Sequence, residues 1–274
     1  MPEGDSIHGY ARRIHEALAG QTLLRAYASR LSLARFEGRT LGAARAQGKH
    51  LLVELEGGSV LRTHLRMHGT IVVRAGGYAG PIINPHVRWL LGSETHTALC
   101  LDAPSVELIH AADLPSHPLL SRLGPDLLGA ELDAGEVLAR LRREPERAIG
   151  SALMDQEKLA GIGNVYKSEV LFITETSPFE RVAHLDDARL LRIVETARDL
   201  LRRNLANGPG ARRRTTPRGR IAAPYWVYER SGEPCLRCGA RVAMQRQDPL
   251  ARSTYYCPSC QLPAGGAAAP CASS

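Results

Sequence analysis

The chain has 274 residues, of which 44% are hydrophobic and 23% are charged, and its formal net charge is +7. This length allows two domains with separate cores, and no apolar run reaches the 18 or more residues that a membrane-spanning helix requires. The first residues also lack the basic and apolar regions of a secretory signal peptide, so we expect a cytoplasmic protein without a membrane partner.

The N-terminal part of the sequence predicts one helix followed by an antiparallel β-sandwich. Apolar residues recur at helical spacing from Ile7 to Leu18, and Asp5 is a suitable N-cap, so we expect a helix over residues 5–19. Short apolar stretches separated by turn-forming residues then follow at intervals typical of antiparallel strands. They cover residues 51–55, 60–65, 70–74, 87–91, 97–101 and 106–110. We therefore predict a β-sandwich domain over residues 1–112.

Three prolines between residues 115 and 125 mark the start of a second, helical domain, predicted over residues 113–224. Its helical patterns cover residues 133–143, 147–157, 164–173 and 186–206. Residues 207–224 are rich in Gly, Pro and Arg and are predicted to form a mobile basic loop. From Arg202 to Tyr256, twelve arginines and three acidic residues give a net charge of +9 in 55 residues. Such a concentration indicates nucleic-acid binding, although a solvated basic surface has the same composition.

Four cysteines near the C-terminus have the spacing of a structural zinc site. Two C-x-x-C pairs, with 18 residues between them, are formed by Cys235, Cys238, Cys257 and Cys260. Disulfide bonds are the alternative, which a cytoplasmic location disfavours. We predict one structural Zn²⁺ that takes no part in catalysis, because four thiolates leave no open coordination position.

The surroundings of this site complete the C-terminal prediction. A zinc finger is expected over residues 225–262, with a β-hairpin at 242–256 that allows Arg246 and Arg252 to face phosphates. The tail over residues 263–274, which is rich in Ala and Gly and contains Cys271, is predicted to be disordered. The remaining cysteine, Cys100, lies in an apolar stretch and is predicted to belong to the core.

The first residues carry a candidate catalytic pair. Removal of Met1 exposes the secondary amine of Pro2, and an α-amine titrates near about 7.7–8.0, so a neutral, nucleophilic fraction exists at physiological pH. The positive end of the helix that follows lowers that pKa further. Attack of this amine on a sugar C1′ gives an iminium ion that permits β-elimination, and the adjacent Glu3 is a natural proton donor. Taken alone, a Pro-Glu start is more often structural or accidental.

Three motifs together resemble the Fpg/Nei family of DNA glycosylases. They are Pro2-Glu3-Gly4-Asp5, the turn Ala160-Gly161-Ile162-Gly163-Asn164, and R-S-T-Y-Y-C-P-S-C-Q at residues 252–261. The resemblance spans nearly the whole chain and implies an α+β fold. An N-terminal antiparallel β-sandwich flanked by helices is expected, then an α-helical helix–two-turn–helix domain with a C-terminal β-hairpin zinc finger, with DNA lying between them.

The resemblance also implies an activity. The implied activity is that of a base-excision-repair DNA glycosylase with AP lyase activity, which acts on double-stranded DNA with oxidised bases or abasic sites. Such an enzyme is expected to be a bacterial monomer, associated with the nucleoid through its DNA.

The resemblance assigns catalytic roles residue by residue. Pro2 matches the Schiff-base nucleophile, and Glu3 matches the acid that helps expel the damaged base. Lys49 matches a lysine needed for lyase chemistry and for holding phosphate near the lesion, although a lysine after glycine at the start of a strand is usually only solvated. Arg252 matches the finger arginine assigned to δ-elimination and to phosphate contact.

The resemblance also assigns DNA contacts. Asn164 matches an asparagine that binds backbone phosphate, and Arg122 matches another phosphate ligand. The amides of Gly161 and Gly163, at a helix N-terminus, are expected to support the same anion.

One loop and one segment bear on the choice of lesion. Residues 64–69, His-Leu-Arg-Met-His-Gly, match the loop that fills the space left by a flipped-out base, so Arg66, Met67 and His68 are predicted to contact DNA and Met67 to act as an apolar wedge. The histidines of this loop are equally consistent with ordinary surface residues. The oxidised-purine branch carries a second wedge within D-P-R-R-F-G, whereas residues 102–107 here are Asp-Ala-Pro-Ser-Val-Glu. This departure favours the endonuclease VIII-like branch, which prefers oxidised pyrimidines.

The alternatives explain less of the sequence. An 8-oxoguanine or formamidopyrimidine glycosylase would use the same chemistry, but this sequence lacks the Arg and Phe that form the second wedge within D-P-R-R-F-G. The pair Asp5-Ser6, where many family members have Pro-Glu, is a further departure and bears on how the base is held. A non-catalytic lesion-binding protein, or a zinc-ribbon transcription factor, accounts for the finger and the charge but not for the catalytic set at the N-terminus.

Overall fold

The computed structural model describes residues 2–78, 80–207, 212–219, 221–247 and 251–262. The chain divides into two compact units, Met1–Arg122 and Leu123–Ser274, called here the N-terminal and C-terminal units. The predicted tail over residues 263–274 lies outside the described residues. No helix in the described ranges is both long and apolar enough to cross a membrane.

The N-terminal unit consists of one long helix and eight strands in two antiparallel sheets. The elements are α1 (Gly4–Leu18), β1 (Arg25–Ala28), β2 (Leu41–Gln47), β3 (His50–Leu55), β4 (Ser59–His64), β5 (Thr70–Ala75), β6 (Val87–Gly92), β7 (His96–Leu101) and β8 (Ser105–His110). The sheets have the strand orders β1-β6-β7-β5 and β2-β3-β4-β8. The six predicted strands correspond to β3–β8, and the predicted antiparallel sandwich is confirmed.

Strands β1 and β2 were not predicted from the sequence. The sequence of β1 is only RAYA, and β2 reads LGAARAQ, in which Ala and Gly replace the β-branched residues that favour strands. Both pair with strongly apolar neighbours, β1 with β6 and β2 with β3. Their strand conformation is therefore imposed by pairing rather than by local sequence.

Helix α1 begins earlier than predicted. Glu3 occupies the N-cap position, so the assignment of Asp5 as the N-cap is wrong. Asp5 lies instead in the first turn, where a carboxylate is favoured by the positive end of the helix dipole. One stripe of the helix enters the core of the unit through Ile7, Ala11, Ile14 and Leu18.

The core between the two sheets is apolar, with its few polar groups paired. Trp89 is fully buried, and its indole Nε1 donates to Thr63 Oγ1 at 2.9 Å. Cys100 is also fully buried, as predicted, and burial raises the pKa of its thiol to about 12. This cysteine is therefore an inert packing residue.

The C-terminal unit contains four α-helices and one β-hairpin within the described residues. They are α2 (Ala134–Arg142), α3 (Ile149–Met154), α4 (Asn164–Ile173), α5 (Asp187–Ala206), β9 (Ala243–Gln247) and β10 (Arg252–Tyr256). All four predicted helices and the predicted hairpin are present. The helix predicted over residues 147–157 is shortened, because Asp155 Oδ1 accepts the Glu157 N–H at 3.0 Å and so competes with helix continuation.

The basic loop over residues 207–224 forms no helix or strand in its described part, residues 207, 212–219 and 221–224. That part is folded back on α5, since Asn204 Oδ1 accepts the Arg214 N–H at 2.8 Å. The Arg214 guanidinium also donates to the backbone carbonyls of Ile221, Ala222 and Ala223. One arginine of this basic segment is therefore committed to holding the loop.

Candidate functional site

Pro2 and Glu3 lie directly before α1. Glu3 is fully buried, and its carbonyl accepts the Ile7 N–H at 3.1 Å, the first hydrogen bond of the helix. Pro2 is half-buried. The positive end of the helix dipole favours an anion and disfavours a protonated amine. The amine that removal of Met1 exposes is thus placed where its neutral form is favoured.

The packing of α1 on β2 directs Glu3 toward the turn that carries Lys49. Leu41, the first residue of β2, accepts a backbone hydrogen bond just past the end of α1, and the Ala44 N–H donates to His15 Nδ1 at 3.4 Å. The helix and the strand therefore run antiparallel. From His15 back to Glu3 the helix rises about 18 Å. From Ala44 forward to Lys49 the strand extends about 17 Å, so both reach the same end of the sandwich.

Lys49 occupies a two-residue turn between β2 and β3. The turn consists of Gly48 and Lys49 and is flanked by the register pair Gln47 and His50. Gly48 has a φ of 57°, the positive value that tight hairpin turns require, which fixes the position of the lysine at the tip. The backbone of the turn thus presents Lys49, half-buried, at the end of the sheet.

Two histidines lie beside this turn. The register of β3 and β4 pairs His50 with His64, and their ring centroids are 4.8 Å apart. Burial, assisted by the nearby Arg62 charge, lowers the pKa of His50 to about 3 and that of His64 to about 4. Because His64 Nδ1 accepts the Arg66 N–H at 3.3 Å, its neutral ring carries the proton on Nε2, which is then a donor.

This histidine pair predicts a loss of stability in mild acid. Both rings have a lower pKa in the folded protein than the value near 6.5 of an unfolded chain, so stability present above pH 6.5 is lost as pH falls toward 4. At pH 5 we expect a loss of about 2 kcal/mol per histidine. Thermal unfolding of the wild type and His50→Gln at pH 7 and pH 5 measures this. An equal pH dependence of the two proteins would contradict the assignment.

The predicted wedge loop follows β4 at the same end of the sandwich. Arg66, Met67 and His68 are all exposed, and Met67 has 64% of its surface accessible. The loop closes tightly, since the Gly69 N–H donates to the Leu65 carbonyl at 3.0 Å and a Cβ at Gly69 would approach that oxygen to 2.7 Å. A compact loop with one apolar side chain at its apex is suited to insertion into a base stack.

In the C-terminal unit, Asn164 begins α4. Its side chain is mostly buried, and among the described residues its Oδ1 has no hydrogen-bond partner. Gly161 has a φ of 110°, a conformation reserved for glycine. Its N–H donates to Gln156 Oε1 at 3.1 Å. The Gly161 amide is thus used within the protein, in contrast to the expected contact with an anion.

Arg122 is exposed and precedes a sharply constrained segment. Two residues later, a Cβ at Gly124 would lie 2.4 Å from the Lys158 carbonyl oxygen, so only glycine fits. The segment that follows Arg122 is therefore held against the turn that precedes α4.

The four cysteines form a compact thiol cluster. Cys235 Sγ lies 3.9 Å from Cys260 Sγ, Cys238 Sγ lies 3.5 Å from Cys257 Sγ, and all four sulfur atoms lie within 4.8 Å of one another. A tetrahedral zinc with Zn–S bonds of about 2.3 Å separates its sulfurs by about 3.8 Å, so the cluster fits one zinc ion. Arg252 begins the finger's second strand, half-buried and opposite Gln247.

Helix α4 is joined to the segment that precedes the first cysteine pair by a buried carboxylate, a connection that was not predicted from the sequence. Glu169 is fully buried and accepts the N–H groups of three consecutive residues, Trp226, Val227 and Tyr228, at 2.7, 2.9 and 2.8 Å. It also accepts the hydroxyl of Thr215. A charged residue within an otherwise buried helical stretch was the available signal, but its partners lie more than 45 residues away along the chain.

The chain matches three sequence families. Residues 1–104 match the formamidopyrimidine-DNA glycosylase N-terminal domain, residues 123–215 the formamidopyrimidine-DNA glycosylase H2TH domain, and residues 232–262 the zinc finger found in FPG and IleRS. These matches confirm the predicted family and the predicted zinc finger, and together they cover most of the chain.

Individual relatives support the same family, and a solved structure supports the same fold. The chain is 41% identical to probable endonuclease 8 2 of Streptomyces coelicolor, over 95% of this chain and 94% of that protein. It is 34% identical to the DNA-(apurinic or apyrimidinic site) lyase Nei2 of Mycolicibacterium smegmatis, over 95% and 99%. A formamidopyrimidine-DNA glycosylase of Nitrobacter winogradskyi is 31% identical, over 95% and 100%. The fold is that of Lactococcus lactis Fpg bound to DNA with an abasic site, with a TM-score of 0.80 at 22% identity over 95% of this chain and 100% of that one.

Proposed function

Because this chain belongs to the Fpg/Nei family of DNA glycosylases, we propose that Pro2 and Glu3 carry its reaction and that the C-terminal unit holds the DNA. The protein is a base-excision-repair DNA glycosylase with AP lyase activity. The observation that carries the residue assignment is the convergence of Glu3, Lys49 and the wedge loop at one end of the sandwich.

The reaction starts at residue 2. After removal of Met1, the Pro2 amine attacks C1′ of the damaged nucleotide while the bond from C1′ to the base breaks and the base leaves with a proton supplied through Glu3. The Pro2 nitrogen then loses its proton, and its lone pair expels O4′, which is protonated as the C1′–O4′ bond breaks and the deoxyribose ring opens to an iminium. This iminium acidifies the proton on C2′, and removal of that proton expels the 3′ phosphate by β-elimination. A second elimination expels the 5′ phosphate, and hydrolysis releases Pro2. A buried carboxyl beside the amine suits the first of these proton transfers.

Lys49 and His64 are proposed to hold the phosphate beside the lesion. Lys49 supplies a charge at the tip of the hairpin, and the neutral His64 supplies an Nε2–H donor next to it. Because His64 is neutral, it donates a hydrogen bond to the phosphate and leaves the phosphate charge to pair with the Lys49 ammonium. The adjacent Arg66, Met67 and His68 are proposed to enter the space left by the extruded base, with Met67 as the wedge.

The C-terminal unit is proposed to bind the DNA backbone. The amide of Asn164 and the N-terminal turn of α4 meet one phosphate. Arg122 contributes through its exposed guanidinium. Gly161, whose N–H is bonded to Gln156, contributes indirectly, because its glycine-specific backbone conformation shapes the turn before α4. Arg252 contacts a phosphate from the finger and promotes δ-elimination. One structural zinc ion, held by the four cysteines, organises the finger.

Replacing Arg252 is expected to weaken the salt dependence of DNA binding. The affinity for duplex DNA falls with salt in proportion to the number of phosphates neutralised, so Arg252→Ala should reduce the slope of log K against log salt by about one contact. Titrations of an abasic-site duplex at several salt concentrations measure the slope. Arg181→Ala serves as the control, because its guanidinium is paired with Glu146 at 2.7 Å, and its slope should stay at the wild-type value. An unchanged slope for Arg252→Ala would remove this residue from the phosphate contacts.

We further propose that oxidised pyrimidines are the preferred substrates. The segment at the position of the second, purine-branch wedge is used inside the fold here: Ser105 and Glu107 belong to β8 and pair with His64 and Arg62 of β4. Glu107 also binds Arg62 at 2.9 Å. Residues 105–107 are thus committed to the sheet, which leaves the loop around Met67 to fill the stack.

The substrate proposal is tested by excision from matched duplexes. Thymine glycol and 8-oxoguanine are placed in the same sequence, and single-turnover rates are compared. Faster release of thymine glycol is expected, whereas faster release of 8-oxoguanine would assign the protein to the purine branch.

Because the relatives are bacterial proteins, we also propose that this protein is a monomeric enzyme of the bacterial cytoplasm, associated with the nucleoid through DNA.

A further inference from the structure

Lys167 connects α4 to the strand that carries Arg252. It is fully buried, and its Nζ donates to Thr254 Oγ1 at 2.7 Å and to the Ser253 carbonyl at 3.4 Å. Ser253 is the residue that follows Arg252 in β10. Because a buried ammonium is unfavourable without hydrogen bonds, these contacts are strongly maintained in the folded protein.

The polar connection continues through the hairpin. The Thr254 hydroxyl donates to Gln247 Oε1 at 3.0 Å, and Gln247 Nε2 donates to the Pro178 carbonyl at 2.9 Å. Gln247 is the register partner of Arg252 on the opposite strand. The residue after Arg252 and the residue across from it are therefore both held by one buried chain of hydrogen bonds that starts at Lys167.

The hairpin has little room to shift on the helices. A Cβ at Gly150 of α3 would lie 2.6 Å from Gln247 Oε1, so the Gln247 side chain packs directly on that backbone. On α4, Ser168 Oγ accepts the Tyr255 N–H at 3.4 Å. Asn164 lies three residues before Lys167 on the same helix, a rise of about 4.5 Å. The same rigid helix thus carries one proposed phosphate ligand and positions the strand of another.

We propose that Lys167 is a positioning residue that fixes the Arg252 guanidinium relative to Asn164, so that both reach the DNA backbone as one preorganised pair. This inference rests on the proposed function, because it takes Arg252 as the phosphate ligand that promotes δ-elimination. Lys167 acts through β10, since its ammonium is buried against Ser253 and Thr254.

The test removes the donor but keeps the length of the side chain. In Lys167→Met, the fraction of δ-elimination product is expected to fall several-fold relative to the β-elimination product, and the salt slope to fall by about one, as in Arg252→Ala. The double variant should show no further decrease, because both changes remove the same contact. Lys167→Arg retains a donor and should restore most of the δ-product.

Lys158→Met is the matched control. Lys158 is a second buried lysine of the same unit, and its Nζ binds Glu144 at 2.9 Å and the Arg140 carbonyl at 3.1 Å. Its loss is expected to lower Tm without altering the ratio of δ- to β-product or the salt slope. A general loss of stability is thereby distinguished from a loss of arginine position.

Two outcomes would overturn the inference. A folded, zinc-loaded Lys167→Met with an unchanged product ratio and salt slope would overturn it while leaving the role of Arg252 intact. An unchanged product ratio in Arg252→Ala would overturn both the inference and the proposed role of Arg252. If Lys167→Met does not fold, Thr254→Val removes the same hydrogen bond with an isosteric side chain, and the same expectations apply to it.

Discussion

Glu3→Gln is expected to abolish base release from an oxidised-base duplex while leaving the nicking of a preformed abasic site largely intact. Glutamine has the same shape but cannot supply the proton that the leaving base requires, and general acid catalysis of this kind contributes roughly 10²–10⁴-fold. An abasic site has no base to expel, so the Pro2 amine can still attack C1′ there. Single-turnover rates on the two duplexes measure the separation.

The control for this variant lies on the same helix. Glu16 is an exposed residue of α1, where its carboxylate lies 4.0 Å from Arg12. Glu16→Gln therefore removes the same charge from the protein without changing the buried helix start, and both rates should stay at the wild-type level. Equal losses on both duplexes in Glu3→Gln would show that Glu3 maintains the structure instead of assisting departure of the base.

Removal of zinc is expected to unfold the finger and to weaken DNA binding strongly. The finger has a small apolar core, in which Val227 and Val242 pack with Phe172 and two of the cysteines. Structural zinc contributes about 10–16 kcal/mol in comparable small sites, far more than so few apolar contacts supply. Without the metal, the hairpin loses its fixed position and Arg252 is no longer held for a phosphate.

Metal content and DNA affinity measure this effect together. Cys257→Ser should lose the single equivalent of zinc and bind an abasic-site duplex with reduced affinity and a lower salt slope. Cys100→Ala, which lies outside the thiol cluster, should retain one zinc per chain. Unchanged affinity in a Cys257→Ser protein shown to be free of zinc would exclude the finger from DNA binding.

The sequence predicted those elements whose pattern is local. The helices of both units and strands β3–β8 have apolar residues at their own period, and the C-x-x-C pairs specify a metal site through spacing alone. The N-cap of α1 was misplaced by two residues, because Glu3 takes this position through its backbone and no side-chain hydrogen bond marks it.

The remaining features depend on contacts between distant parts of the chain. Lys49 reaches the same end of the sandwich as Glu3 only because α1 packs antiparallel to β2, a strand with little strand propensity of its own. The hydrogen bond from Lys167 to Thr254 joins residues 87 positions apart. The chain has only three lysines, Lys49, Lys158 and Lys167, so each is noticeable in the sequence, but the partner of Lys167 can be identified only in the folded chain.

Borohydride trapping on a thymine glycol duplex tests most directly whether Pro2 is the nucleophile. The protein, with removal of Met1 verified by mass, is compared with Pro2→Gly on this duplex, on an 8-oxoguanine duplex and on an abasic-site duplex. A covalent protein–DNA adduct with the thymine glycol duplex, lost or greatly weakened in Pro2→Gly, is the predicted result. Normal DNA binding without an adduct on any of the three duplexes would contradict the Schiff-base mechanism and leave a protein that only binds lesions.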